Sequence, residues 1–456
     1  MEKVKTIGKD FSLKQLALFS LPSILNELVI SILYTIDDGF FISRYVGNNA
    51  LAAFGVLSPL FMFHMASGSL FGGIAVSCSK KMGEKKDEEA RRDFTTLVLY
   101  ALIYGIIIGV IEYVFCDQII YLLGATDILF PYAKDFLKIG ALYNPLIMVA
   151  NVFMRFYVPA GKPHMELLNT VLNMGFNLFF DWYFVVYLLV GMKGTAYANF
   201  IAFVVQVIFG LIFYSRKNCE MRFGKPDLRN IGLLSLAFKY GLPSFISNMS
   251  VSIGTLISNY VILFYGNETF LAAYNIVMNI SFAFISAFFG LFASIGPLLS
   301  YTMGEKNKER LLKLFKQTIV LTSLLVVASV VLFVTGGNML ANVFIREDTN
   351  NIRELLRFGM NIMPYSFLFF GFNVGARMCF ASLGNQRSST FLTIVQEVIL
   401  SNLCIVLLPV MFGIRGVWYS FLISNILTLF VVVFVVYMNR DNYGYGKEGL
   451  ALLVDR

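Results

Sequence analysis

The chain has 456 residues, of which 57% are hydrophobic and 14% are charged, and its net charge is +8. A soluble globular protein is about 45–50% apolar and about 25% charged. This composition therefore excludes a soluble globular protein. The basic residues are scattered over short loops, which is typical of membrane proteins and argues against a nucleic-acid partner. We therefore expect an all-α, polytopic membrane protein.

Apolar runs close to the ~20 residues needed to cross a bilayer follow one another along the whole chain. They predict twelve transmembrane helices, at about 14–43, 51–77, 95–116, 128–157, 164–189, 194–214, 234–264, 269–300, 314–336, 355–382, 389–411 and 416–438. This arrangement of spans places 28 of the 36 Lys and Arg residues on one side of the membrane. Because basic loops stay in the cytoplasm, we predict a multi-pass protein of the cell inner or plasma membrane with both termini cytoplasmic.

The first predicted span contains two adjacent carboxylates, Asp37 and Asp38. An ionisable group in hydrocarbon costs several kcal/mol, so such residues usually mark an ion, proton or substrate pathway. Glu27 and Asp38 lie about 20° apart around the helix, on the same face as Tyr34, whereas Asp37 points about 100° away from Asp38. We therefore predict that Asp38 is the functional acid. The alternative is that both acids simply lie among lipid head groups near the helix end.

The fifth predicted span carries Asn169, Asn173, Asn177 and Asp181 at steps of four residues. This spacing places them in a shallow spiral stripe along one side of a helix. The stripe lines a polar cavity, or it forms a ladder of hydrogen bonds to a neighbouring helix; both interpretations remain open. Carboxylate and amide oxygens suit Na+, and either carboxylate can carry a proton when it is buried.

The remaining polar residues within spans are few. Glu112 of the third span is expected to be peripheral, whereas Gln396 and Glu397 lie well inside the eleventh. The sequence has no Cys/His cluster with metal-ligand spacing and no GxxxxGK[ST] phosphate-binding loop. We therefore predict a protein that is not an enzyme and that takes its energy from an ion gradient or from a separate partner.

The two halves of the chain repeat. Leu-Pro-Ser at 21–23 recurs at 242–244, and Met-Gly-Glu-Lys at 82–85 recurs at 303–306. Each half has six predicted spans, an even number, so the repeats keep the same orientation, which is a known transporter plan. The second half lacks the acids: Asn259 replaces Asp38, and Leu403 replaces Asp181. The predicted organisation is a six-helix lobe at 1–218, a cytoplasmic linker at 219–240, a six-helix lobe at 241–438 and a cytoplasmic tail at 439–456.

These motifs together resemble the multidrug and toxic compound extrusion (MATE) family over nearly the full length. The resemblance rests on residues 38–53, DGFFISRYVGNNALAA, on Asn177 with Asp181, and on Gly191 with Gly194. It implies that Asp38, Asn177 and Asp181 form a cation or proton site in the first lobe. In some members a Thr of the sixth helix joins that site, and the corresponding residue is Asn199 here. Na+ is then a possible ligand of these four residues.

This chain departs from the family pattern in two places. Trp182 follows Asp181 where members often have Pro, and the seventh and tenth spans lack the acids that some members use. The absence of those acids argues against the coupling mechanism that these members use. The sequence also offers further candidates for polar residues of a central cavity, namely Glu27, Tyr34, Asn173, Asn259, Gln396 and Glu397.

The resemblance implies a monomeric, secondary-active antiporter in which two lobes rock in the lipid bilayer. It would export amphipathic, often cationic organic compounds in exchange for Na+ or H+, with no cofactor besides that ion. The alternative is a flippase for lipids or lipid-linked saccharides from the wider superfamily. Such a protein should carry basic residues at mid-membrane, and Arg155 and Arg377, at predicted helix ends, support it only weakly.

Overall fold

The computed structural model describes residues 5–344 and 350–439; within these, the side chains of residues 32–37, 338–344 and 350–351 are also excluded. Throughout the described residues the secondary structure is helical and contains no strand. The predicted all-α class is therefore confirmed. The side chains of Tyr34 and Asp37 lie outside the described residues, and so does the predicted cytoplasmic tail beyond residue 439.

Eight α-helices lie within the described part of the first half, and each of them except the short α3 and α5 corresponds to one predicted span, although α7 ends at Asp181, eight residues before the predicted end of its span. They are α1 (Leu13–Phe41), α2 (Asn48–Gly72), α3 (Ile74–Gly83), α4 (Asp87–Val114), α5 (Cys116–Leu122), α6 (Phe130–Phe156), α7 (Pro163–Asp181) and α8 (Met192–Tyr214). Seven follow within the described part of the second half. They are α9 (Gly232–Tyr265), α10 (Glu268–Gly304), α11 (Lys308–Phe344), α12 (Asn350–Ser382), α13 (Gln386–Thr393), α14 (Ser401–Phe412) and α15 (Gly416–Met438).

Ten helical segments within the described residues are long and apolar enough to cross a membrane. The two predicted spans that do not meet this measure correspond to α7 and α12. The first carries the asparagine stripe, and the second carries Arg353, Arg357 and Arg377. Polar side chains lower the hydropathy of a helix even when its neighbours shield them from lipid. The chain is therefore a multi-pass membrane protein, while the count of twelve spans stays a prediction.

The chain divides into two compact units by internal packing. The first comprises residues 1–9 and 29–245, and the second comprises residues 10–28 and 246–456. The two long helices α1 and α9 each contribute one part to each unit. The lobe boundaries predicted from the sequence, at 218 and 241, stay a prediction.

The repeat seen in the sequence is accompanied by the same backbone geometry at corresponding positions. Lys85 and Lys306, which follow the ends of α3 and α10, have φ angles of 62° and 57°. Gly191 and Gly413, which precede α8 and α15, have φ angles of 72° and 65°. A left-handed conformation is uncommon outside glycine, so its recurrence at both lysines shows that the two halves turn in the same way.

Helices α4 and α6 approach so closely that their backbones are nearly in contact. A methyl group added at Gly105 would lie 2.6 Å from Cα of Pro145, and one at Gly109 would lie 2.3 Å from the carbonyl oxygen of Ala141. Small residues allow membrane helices to pack at such distances, where dispersion contacts replace the absent hydrophobic effect. This packing fixes the neighbouring side chains of both helices.

We predict that Gly105→Ala and Gly109→Ala each destabilise the protein by about 1–3 kcal/mol, because the added methyl group overlaps backbone atoms that cannot move aside. The measurement is the apparent Tm of the protein in detergent. Gly175→Ala on α7 is the matched control, since its methyl group would meet nothing within 4 Å. Equal melting temperatures for all three variants would contradict the close packing.

Candidate functional site

Asp38 and Asn199 are in direct contact within the first unit. Asn199 on α8 donates from Nδ2 to Oδ2 of Asp38 at 2.9 Å, and also to the carbonyl oxygen of Thr195 at 3.2 Å. Asp38 lies three residues before the end of α1. The end of the first helix and the sixth predicted span therefore meet at a carboxylate, as the family resemblance implies.

Asp181 and Asn177 complete this cluster from α7. Both side chains are buried, Asp181 with 0% exposure, and both interact with the Asp38 carboxyl group. Three helices, α1, α7 and α8, thus bring together the four residues Asp38, Asn177, Asp181 and Asn199. We call these four residues the carboxylate cluster.

The stripe on α7 divides into two parts with different contacts. Asn169 donates to the hydroxyl of Tyr157 at 2.9 Å, and Asn173 donates to Oε1 of Gln206 on α8 at 3.2 Å. These two residues are rungs of a helix-packing ladder. The other two, Asn177 and Asp181, reach the carboxylate cluster instead, so the stripe changes role along its length.

Each acid of the cluster stands next to a π-helical turn. Ile42–Val46 follows α1, Trp182–Tyr187 follows α7 directly after Asp181, and these two turns contact each other. A third such turn, Ile394–Leu400, contains Glu397. A π-helical turn inserts one residue into the helical register and is often found at functional sites. Here the turns coincide with three of the acids found inside spans.

Two neighbouring carboxyl groups that are both ionised repel each other unless a shared proton or a bound cation compensates one of the charges. The donor set of two carboxylates and two amides suits Na+ chemically, although Asn199 presents its N–H to Asp38 and would have to turn its oxygen inwards. Among the described residues there is no group of three His, Cys, Asp or Glu side chains of the kind that holds a transition metal. Carboxylate and amide oxygens, which are the donors of this cluster, suit hard cations.

Glu112, which the sequence predicts to be peripheral, is 2% exposed, so that prediction is wrong. Its Oε1 lies 2.6 Å from Nε2 of His64 on α2, and its Oε2 accepts from Nδ2 of Asn144 on α6 at 2.5 Å. The sequence places Glu112 near the end of a span, whereas the close approach of α4 to α6 covers it. The signal that was missed is His64, a histidine inside a predicted span.

Several buried polar residues of the second unit contact one another. Glu397 forms a salt bridge with Arg377, whose side chain is 4% exposed. Gln396 donates to Oδ1 of Asn425, and Asn373 donates to the carbonyl oxygen of the same residue. Gln396 and Glu397 thus belong to a buried polar network of α12, α15 and the third π-helical turn, and Arg377 neutralises the one acid in it.

Of the remaining candidate residues, Glu27 and Asn259 lie in the second unit. Glu27 lies about 16 Å along α1 from Asp38, because eleven residues rise 1.5 Å each, and it packs in the second unit. A shared helix face therefore does not bring these two acids together. Asn259 lies half-buried on α9 in the second unit. The side chain of Tyr34 lies outside the described residues.

The second unit also contains an apolar cavity of about 190 Å³. Phe292, Phe372 and Phe380 line it together with Thr318, Thr322 and Cys379, and none of its lining residues is charged. Its size and chemistry suit a hydrocarbon group and not an ion. The acids of the second unit do not reach it.

The sequence matches the MatE family over residues 22–183 and again over residues 243–406. It is 26% identical over 434 residues to the multidrug export protein MepA of Staphylococcus haemolyticus, covering 95% of each chain. It is 24% identical over 445 residues to MepA of Staphylococcus aureus strain MRSA252, covering 96% of this chain and 97% of that one.

Two solved structures share the fold at 22% identity. One is an outward-facing multidrug resistance MATE family transporter of the MOP superfamily, with a TM-score of 0.88 over 100% of this chain and 99% of that chain. The other is a MOP superfamily transporter of Pyrococcus furiosus Vc1 whose binding pocket has reversed polarity, with a TM-score of 0.84 over 96% and 98%.

We predict that Arg377→Met destabilises the protein by about 3–5 kcal/mol, because it leaves the buried Glu397 without its cation. Adding Glu397→Gln to Arg377→Met should recover most of that loss, since no charge then remains. The apparent Tm in detergent measures both effects. A double variant that is no more stable than the single one would show that packing of Arg377, and not charge compensation, matters.

Proposed function

The chain belongs to the MatE family, and from that premise we propose that it is a secondary-active antiporter that exports organic compounds. The substrates we propose are amphipathic and often cationic, and the coupling ion is H+ or Na+. The observation that carries the proposal is the carboxylate cluster, in which Asn199 and Asp38 are 2.9 Å apart and Asp181 is fully buried. Full-length relatives named as multidrug export proteins support the substrate class.

The chemistry of the cluster supports exchange. A pair of carboxylates that lacks a proton or cation carries net negative charge in a medium of low dielectric constant, and this charge is strongly unfavourable. Binding one H+ or Na+ removes part of that charge and relaxes the amide contacts of Asn177 and Asn199. A cationic substrate and the coupling ion would thus compete for the same negative potential, which is the thermodynamic requirement for antiport.

We further propose the membrane arrangement that the sequence predicts. It consists of twelve spans in two six-helix lobes, both termini in the cytoplasm, and alternating access in a cell inner or plasma membrane. The recurrence of left-handed backbone at Lys85 and Lys306 supports two equivalent halves. A monomer in lipid suffices for this mechanism, and a nucleic-acid partner has no part in it.

The flippase alternative is not favoured. An anionic lipid head group would need an available basic residue at mid-membrane, and Arg377 is already neutralised by Glu397. The family match and the relatives also point to transport of small organic molecules. An enzymatic function finds no support in the relatives, which are transporters.

We predict that Asp38→Asn and Asp181→Asn each reduce gradient-driven efflux to the level of protein-free vesicles, because each substitution removes a carboxylate from the cluster. The measurement is efflux of ethidium, an amphipathic organic cation, from proteoliposomes with an imposed H+ or Na+ gradient. Comparing the two gradients identifies the coupling ion.

Asp37→Asn is the matched control. It removes the adjacent acid, which the sequence predicts to lie about 100° from Asp38 around the helix, and it should retain efflux. Efflux that persists unaltered in both Asp38→Asn and Asp181→Asn would overturn the proposed coupling site. Binding of ethidium in detergent separates loss of coupling from loss of folding.

A further inference from the structure

A second cluster of titratable groups lies inside the first unit, on helices that do not form the carboxylate cluster. It consists of His64 on α2, Glu112 on α4 and Asn144 on α6, whose exposures are 7%, 2% and 0%. The Glu112 carboxylate contacts both other residues, at 2.6 Å and 2.5 Å. We call these three residues the histidine cluster. Neither the proposed coupling site nor helix packing alone requires a histidine and an acid here.

The charge of this cluster depends on a single proton. With a neutral imidazole donating from Nε2 and an ionised Glu112, the cluster carries one uncompensated negative charge. Uptake of one proton gives imidazolium with carboxylate, or imidazole with carboxylic acid, and both forms are neutral overall. Since an unpaired buried charge costs several kcal/mol, the low-dielectric surroundings favour uptake of that proton.

The hydrogen bonds of Asn144 support proton exchange at this place. Its amide nitrogen donates to Oε2 of Glu112 at 2.5 Å, and its Oδ1 is buried without a hydrogen-bond partner. The acid thus contacts one neutral amide donor and one imidazole nitrogen. Because an imidazole can be neutral or charged, the cluster can exist with or without an added proton.

The charged surroundings of the histidine cluster can be specified. Tyr143, adjacent to Asn144 on α6, interacts electrostatically with Glu112 and also with Asp38 and Asp181. Its side chain is 5% exposed, so water screens these interactions only weakly. Towards the end of α4, Cys116 interacts with Glu112 and with further charged groups. These groups are Asp117, Lys134 and Lys138, of which Lys134 is paired with Asp117.

We propose that the His64–Glu112 pair is a second proton-binding site, electrostatically coupled to the carboxylate cluster through the interior of the first unit. A proton bound at one site reduces the negative potential at the other, so cations bind the two sites with negative cooperativity. Proton binding at His64–Glu112 stands independently of transport; its role as a contributor to coupling rests on the proposed function.

The chain offers a direct probe, because it has only two histidines. His164 is exposed at the start of α7, so His164→Gln leaves His64 as the single histidine. In this variant, nitrogen-15 NMR of labelled histidine follows the His64 ring between pH 5 and pH 9. Infrared difference spectra of the same samples follow the Glu112 carboxyl group. Together, the two measurements show which of the two groups carries the proton.

We expect one protonation step at the pair within this pH range. Its midpoint should fall to lower pH in Glu112→Gln and also in Asp38→Asn/Asp181→Asn, because each change removes negative charge that stabilises the proton. Tyr104→Phe is the matched control: it removes a partly buried hydrogen bond to Ser67 between the same helices, α2 and α4, and should leave the midpoint unchanged.

Absence of any protonation step at His64 and Glu112 would overturn the proposal, and this result needs no variant in the cluster itself. A midpoint that Asp38→Asn/Asp181→Asn leaves unmoved would overturn the coupling between the clusters. The efflux measured for the single variants Asp38→Asn and Asp181→Asn tests the proposed function alone. The two proposals can therefore fail separately.

Discussion

A carboxylate inside a bilayer must find its compensating charge within the protein, and this requirement organises both units. Water is absent from the hydrocarbon region, so an ionised side chain that stands alone is unfavourable by several kcal/mol. Three arrangements occur among the described residues. Glu397 has a permanent cation in Arg377, Glu112 lies within hydrogen-bonding distance of His64, and Asp38 accepts a hydrogen bond from Asn199 beside a second acid, Asp181. Only the first arrangement pairs an acid with a permanent cation.

The backbone provides the positions that these arrangements require. Gly105 and Gly109 let α4 approach α6 closely, and this places Glu112 against Asn144. The π-helical turns after Asp38 and Asp181, and around Glu397, shift the helical register at the acids themselves. A π-helical turn inside an α-helix is often found at a functional site. The acids thus lie in or near the irregular turns of their helices.

Much of this could be predicted from the sequence, and the failures have a common cause. Helical periodicity singled out Asp38 and the α7 stripe, because those features are local to one helix. The partner Asn199 came from the family resemblance. Glu112 was misjudged because its burial depends on the packing of α6, and the Arg377–Glu397 pair spans two helices and a π-helical turn. Regular periodicity describes one helix at a time and cannot report such contacts.

The asymmetry between the halves follows from the same constraint. The halves share their turns, and the family match begins at the corresponding residues Pro22 and Pro243. Yet the second half carries Asn259 in place of Asp38 and neutralises its Glu397 with Arg377. A repeat with acids in both halves would have to compensate twice the charge in lipid. Keeping Asp38 and Asp181 in the first half alone preserves the helical architecture of both halves and limits the number of carboxylates that need a compensating charge in lipid.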